Sequence, residues 1–182
     1  MGFTALVAET LAIREFLITF YGNELTIGMI LANWILLGAV GSFIASRFTE
    51  REDRAVTIYT ILQAGLTLYL PVSIFLIRTI KNSLYLTAGE GVGPILIIAS
   101  SFLILAPIGM MIGAQFPLGS SMLSRAAGRP LESAGKVYIL EGIGFILAGP
   151  VFTYILITTL NSFSIVFLMG AINMLSAISL LK

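Results

Sequence analysis

Apolar stretches long enough to cross a lipid bilayer follow one another with little polar spacing through the 182 residues of this chain. A helix rising 1.5 Å per residue needs about 20 apolar residues to traverse a hydrocarbon layer about 30 Å thick. Where no water can bond the backbone, helices and closed barrels are the structures that span. Applied along the chain, that rule predicts an all-α integral membrane protein, a single polytopic domain over 1–182 forming a six-helix transmembrane bundle, with helices at about 2–20, 24–46, 54–79, 93–115, 133–158 and 162–181. Composition agrees: 58% of residues are apolar and 10% charged, with mean hydropathy +1.03, more apolar surface than a soluble domain of this length could hide.

The boundaries come from local chemistry. Tyr21-Gly22 closes the first helix and Asn23 caps the second. The run from Arg47 to Arg54 holds Glu50, Arg51, Glu52 and Asp53 and reads as a loop in water or headgroups. Pro71 is expected to kink the third helix, and Pro117, after Pro107, to bend or end the fourth. A polar turn through Arg125, Gly128, Arg129 and Pro130 follows, the fifth helix holds Pro150, and Asn161 marks the turn into the sixth. The N-terminus lacks the basic opening of a secretory signal, and Glu9, Arg14 and Glu15 break its apolar core, so residues 2–20 read as a retained helix. Basic residues orient the bundle: Arg47, Arg51, Arg54, Arg125, Arg129, Lys136 and Lys182 fall on one side, Arg78 and Lys81 on the other. The excess predicts both termini in the cytoplasm, in a prokaryotic inner membrane.

Composition also excludes chemistry. With no cysteine and no histidine, disulfides, thiolate metal sites and the usual haem and zinc ligands are missing, so no metal and no cofactor is expected. A net charge of +1 without a basic stripe argues against nucleic acid as a partner. Ser100 and Ser101 have no histidine to activate them, which leaves little basis for an enzyme and no catalytic residue.

Within the spans, small residues mark where backbones can approach. Gly28 with Ala32, Gly41 with Ala45, Gly109 with Gly113 and Gly144 with Ala148 are the expected helix-packing pairs, and the glycine-rich fifth helix is expected to lie centrally. Ionisable groups are costly in lipid unless partnered or functional. They are Glu9, Arg14, Glu15 and Glu141, with Glu24 near the outer surface. Glu9 and Arg14 stand about 140° apart around one helix and cannot pair comfortably there. Counting from the helix starts places Glu9 and Glu141 at comparable depth. An interhelical Arg14–Glu141 bridge, shared with Glu9, is therefore expected, either as a charge network fixing helix register or as a site for a cation or proton. Gln63, Gln115, Ser100, Ser101 and Tyr138 could line a polar cavity or serve as interhelical hydrogen-bond partners, and Trp34 reads as packing.

Two groups of residues carry a family likeness. One is Gly113-Ala114-Gln115-Phe116-Pro117-Leu118, the turn through Gly128 and Arg129, Ala134-Gly135-Lys136-Val137-Tyr138 and Glu141-Gly142-Ile143-Gly144. The other is Glu9 to Arg14, Phe20-Tyr21-Gly22-Asn23-Glu24-Leu25, Leu31-Ala32-Asn33-Trp34 and Gly41-Ser42. Together they resemble the membrane region of the membrane-embedded spermidine synthase-like proteins. The resemblance implies a bundle distantly similar to half of a major-facilitator-type transporter. Many members of that family carry a soluble aminopropyltransferase domain after the membrane region. This sequence ends at Lys182 and shows no strand followed by a G-x-G-type loop, the Gly89-Glu90-Gly91-Val92-Gly93 cluster reading as a loop between spans, so aminopropyl transfer is not expected of it.

Two functions follow as expectations. One is a non-catalytic membrane module that binds or translocates a small molecule, cationic if the excess of carboxylates is its cause, using Glu9, Arg14, Glu141, Tyr138 and Gln115. The other is a structural subunit of a larger membrane complex. The lipid bilayer, further copies of the chain or other membrane subunits, and a separate soluble synthase chain are the partners these readings imply.

Overall fold

A computed structural model describes residues 1–22, 24–49, 52–83 and 92–180, and among them the chain is helical throughout, with no strand. We number the helices α1 (Gly2–Phe20), α2 (Glu24–Ser46), α3 (Glu52–Ser83), α4 (Pro94–Ala127), α5 (Pro130–Thr159) and α6 (Ser162–Leu180). Five of them, α2 to α6, are long and apolar enough to cross a bilayer, which marks the chain as an integral membrane protein. α1, interrupted by Glu9, Arg14 and Glu15, is not among the five. Successive helices alternate in direction, so Met1, the α2–α3 and α4–α5 connections and the end of α6 share one end of the bundle, the near end. The remaining connections share the far end.

α3 begins inside the expected loop, at Glu52, and runs to Ser83 rather than 79, and the α4–α5 boundary is also placed differently. α4 does not stop at 115: it runs through Pro107 and Pro117 to Ala127, where Gly128 takes the left-handed conformation (φ 67°) and donates its N–H to Ser124. A proline removes one backbone donor but ends a helix only if neighbours fail to hold the rest, and α4 is gripped on both sides by α2 and α3. α5 correspondingly starts at Pro130, whose ring suits the first helical position. After Pro150 its ladder widens into a π-helical segment, Phe152–Leu156, before a last α-turn. The missing donor and the bulk of the ring are a known cause of such a defect. The expected loop positions Glu50 and Arg51 and the cluster Gly89–Gly91 lie outside the described residues, as does Asn23.

α1, not α5, is central. It touches each of the other five helices, whereas α5 packs on α1 and, across the Gly128–Arg129 turn, on α4. One face of α5 is left open: Tyr138 is 72% exposed, Ile146 73% and Tyr154 77%. The glycines that suggested a central place, Gly135 and Gly142, have nothing within contact distance. α2 lies along α4, and α3 runs between α4 and α6.

The α2–α4 contact is set by glycines. A Cβ on Gly113 would overlap the Gly38 carbonyl, and one on Gly41 would overlap the Met110 carbonyl. Gly109 faces the Leu37 side chain from the same seam. In lipid no hydrophobic gain drives helices together, so dispersion between closely approaching backbones has to. Gly28, paired with Ala32 in the sequence reading, has open space around it and packs against nothing. Gly144 and Ala148 lie on the α1–α5 side: Gly144 sits against the backbone of Gly2 and Phe3, and Ala148 is fully buried with Val7, Leu11 and Phe152. Nearer the far end, Phe16 and Phe20 stack at 5.5 Å among Ile30, Leu37, Ile77 and Leu105. Trp34 is packed at the junction of these two clusters.

Candidate functional site

Charge is buried at the far end, and its partner comes from α3. Glu15 lies on the inner face of α1 and is 2% exposed. Arg78 reaches it side-on: Nε donates to Oε2 at 2.6 Å and a terminal nitrogen to Oε1 at 2.9 Å, while Ser162 Oγ donates to Oε1 at 2.5 Å. Such a fork fixes direction as well as charge. Ser162 is also the first residue of α6, whose amino end, capped by Asn161 Oδ1 on the Ser164 N–H, favours a nearby anion. The guanidinium lies 5.1 Å from the Phe163 ring centre, and the Arg78 side chain is 47% exposed. Three donors hold the Glu15 carboxylate, two of them on Oε1, so this centre ties α1, α3 and α6 together, while its outer side opens on a cavity lined by Glu15, Ile18, Thr19, Tyr21 and Arg78.

Toward the near end the interior is polar but uncharged. Thr67 Oγ1 donates to the Gly170 carbonyl at 3.0 Å, fixing α3 against antiparallel α6. One turn closer to the near end on each helix come Gln63 and Asn173. Asn173 Oδ1 accepts from Thr4 of α1 at 3.1 Å, and Gln63 Nε2 donates to the Tyr59 hydroxyl at 3.4 Å. From α4, Gln115 occupies the same level, between Ala114 and Leu118, which pack with Tyr59. Gln115 is 1% exposed, Gln63 2% and Asn173 3%. Each amide keeps one atom without a partner among the described residues: Gln63 Oε1, Gln115 Nε2 and Asn173 Nδ2. α3, α4 and α6 thus bring two spare donors and one spare acceptor to one level of the interior.

The residues expected to form a charge network are not brought together. Gly2 abuts the Glu141 backbone and Phe3 abuts Gly144, so Glu141 sits level with the start of α1. Arg14 is then about 18 Å further along and Glu9 about 10 Å. The Arg14–Glu141 bridge does not form, because α5 extends further beyond the near end than the sequence reading allowed. The charge facing half-buried Glu141 is the amino group of Met1, and Tyr59 is near enough to feel the carboxylate. Tyr138 points away from the interior on the open face of α5. Gln115 is inside, as a cavity-lining residue would be. Ser100 and Ser101 are buried, with Ser101 accepting a 2.8 Å bond from Asn33 Nδ2 across the α2–α4 seam.

Sequence reasoning missed Arg78 as a partner, Asn173 altogether, and the role of Glu15. A depth count could have found the first pair: Glu15 is five residues from the end of α1 and Arg78 five from the end of α3, both at the far end. Among the described residues no cluster of acidic side chains suits a metal ion. An apolar groove of about 260 Å³ between α2, α3 and α4, lined by Gly41, Ala45, Ile58, Leu62 and Met111, has the chemistry of an acyl chain and offers no polar contact. No protein family, no curated protein and no solved structure matches this chain.

Proposed function

We propose that the chain is a non-catalytic multi-pass membrane module, a six-helix bundle with α1 in the membrane beside the other five, that binds and carries a small polar molecule between its helices. The observation that supports this is the set of three buried amides with unspent hydrogen-bonding atoms, Gln63, Gln115 and Asn173. An unpaired buried polar group costs about 1–3 kcal/mol, and polar residues held inside a membrane bundle commonly mark a solute path. Two spare donors beside one spare acceptor suit a ligand that both accepts and donates. Glu141, toward the near end, favours one that also carries positive charge. An amino alcohol or amine is the class that meets these terms.

The resemblance to the membrane region of spermidine synthase-like proteins belongs to the same proposal, with a separate soluble synthase chain as a candidate partner and an inner membrane with cytoplasmic termini as its setting. The experiment follows the melting temperature of the protein in nanodiscs with ethanolamine, spermidine or glycerol. At least one should raise it for the native sequence. Gln115→Leu should raise the ligand-free value and erase the ligand response. If none of the three solutes shifts the melting temperature, or if Gln115→Leu destabilises the ligand-free protein, the amides are structural and the reading is wrong. The alternative, a structural subunit of a membrane complex, is favoured by one observation: Gly135 and Gly142 on the exposed face of α5 leave room for another helix to approach.

A further inference from the structure

α1 has a second face. Its buried side carries Thr4, Val7, Ala8, Leu11, Ala12, Glu15, Phe16 and Thr19. On the opposite side Phe3, Leu6, Thr10, Ile13 and Leu17 are all half-buried, and their spacing is three, four, three, four. That is the seam of a two-stranded coil, in which alternate steps of three and four keep one stripe toward a partner helix. Glu9 stands immediately before the seam residue Thr10, and Arg14 immediately after the seam residue Ile13. Around the helix they flank the middle of the seam by about 70° on either side.

These are the two flanking positions whose charges meet across a parallel pair. The residue preceding one seam position lies beside the residue five places further on in the other helix. A two-fold axis along the bundle would therefore set Glu9 of each copy beside Arg14 of the other, and symmetry makes the pair occur twice. The axial offset of about 7.5 Å is within reach of the two long side chains. Within one copy neither Glu9 nor Arg14 makes a direct ion pair among the described residues; Arg14 is near enough to Glu15 to act on it through space, but that carboxylate is already held by Arg78. Two half-buried, unmatched charges of opposite sign on a bundle otherwise sheathed in apolar side chains call for a cover that matches both.

We propose that this face of α1 is the contact between two copies of the chain, with reciprocal Glu9–Arg14 pairs closing it. Phe3 and Leu6 are already met by Gly144 and by Gly149 of α5, and Ile13 packs in part against the cluster around Phe16 and Leu37. The contact is therefore centred on Thr10 and Leu17, with the uncovered part of Ile13 between them.

The absence of native cysteine makes the test direct. Ile13→Cys should oxidise in native membranes to a disulfide-linked species of twice the chain mass, while Leu103→Cys, 74% exposed on α4, should not. In native mass spectrometry from nanodiscs, Glu9→Arg and Arg14→Glu should each lose the dimer, and the double reversal should regain it. A monomeric native protein, cross-linking at Leu103→Cys as strong as at Ile13→Cys, a cross-linked product of any other mass, or a double reversal no better than the singles would each overturn the proposal.

Discussion

Arg78 Nε lies 2.6 Å from Glu15 Oε2, and the two residues are 63 positions apart on different helices. Of the two ion pairs among the described residues, the other, Arg129–Glu132, is exposed within a single turn and contributes little. The Glu15–Arg78 pair is of another kind, because the carboxylate has only 3% of its side chain exposed. Removing the cation leaves a buried charge answered only by Ser162, the amino end of α6 and the more distant charge of Arg14.

Arg78→Ala should therefore lower stability by about 3 kcal/mol, the scale of breaking a buried pair by taking one partner away. Arg78→Lys should restore part of this, since a point charge cannot make the side-on fork. Glu15→Gln combined with Arg78→Ala should cost less than the sum of the single changes, with a coupling of about 1–3 kcal/mol. Denaturant titration in mixed micelles measures all of these. Additive costs would mean that the two side chains do not act as a unit.

The glycine seam between α2 and α4 makes a sharper contrast. Gly41→Ala and Gly113→Ala each force a Cβ into a facing backbone carbonyl, which cannot swing aside as a side chain can. Each should destabilise by about 1–3 kcal/mol or more. Gly28→Ala and Gly142→Ala meet nothing within 4 Å and should be neutral or stabilising by up to about 1 kcal/mol, since alanine is the better helix former. Equal melting temperatures for all four variants would contradict the close approach of the two helices.

How much of this was legible beforehand depends on what each inference needed. That the chain is helical and apolar enough for a membrane followed from residue type and segment length alone, and the end of α1 and the starts of α2 and α6 came from their turn residues. The glycines at 41, 109 and 113 were visible as approach points, but sequence could not tell them from Gly28 or Gly142, because a small residue records permission and not contact. The charge pairing failed for a geometrical reason. Depth counts from helix starts, and a start misplaced by a few residues, together with an unknown offset of α5 against α1, moves Glu141 by about two turns. Asn173 went unnoticed because one amide in a uniformly apolar helix carries no periodic signal. Its interest arises only when Gln63 and Gln115 arrive from elsewhere.

Asn33 offers a test of how much a satisfied interior amide contributes. Its Nδ2 donates to Ser101 Oγ at 2.8 Å and to the Ile98 carbonyl at 2.9 Å, and the residue is 6% exposed. Asn33→Leu should cost about 1 kcal/mol, close to what interhelical hydrogen bonds contribute in membrane proteins. Gln115→Leu, at an amide with an unpaired nitrogen, should move stability in the opposite direction. The comparison of the two substitutions in one denaturation series decides whether matched and unmatched amides differ as the hydrogen-bond geometry says.

The ends of the bundle can be assigned to sides of the membrane by thiol labelling. Ala126 and Thr159 are both exposed, and α5 separates the two ends on which they lie, with Ala126 at the near end and Thr159 at the far end. Single cysteines there are the only thiols in the chain. The predominance of Arg and Lys at the near end, with Arg47, Arg125, Arg129 and Lys136 among the described residues, predicts that it faces the cytoplasm. Thr159→Cys should then react with a membrane-impermeant maleimide in intact cells, and Ala126→Cys only after permeabilisation. The reverse pattern would invert the bundle and place Glu15 and Arg78 on the cytoplasmic side. Labelling of both in intact cells would mean that α5 does not cross the membrane at all.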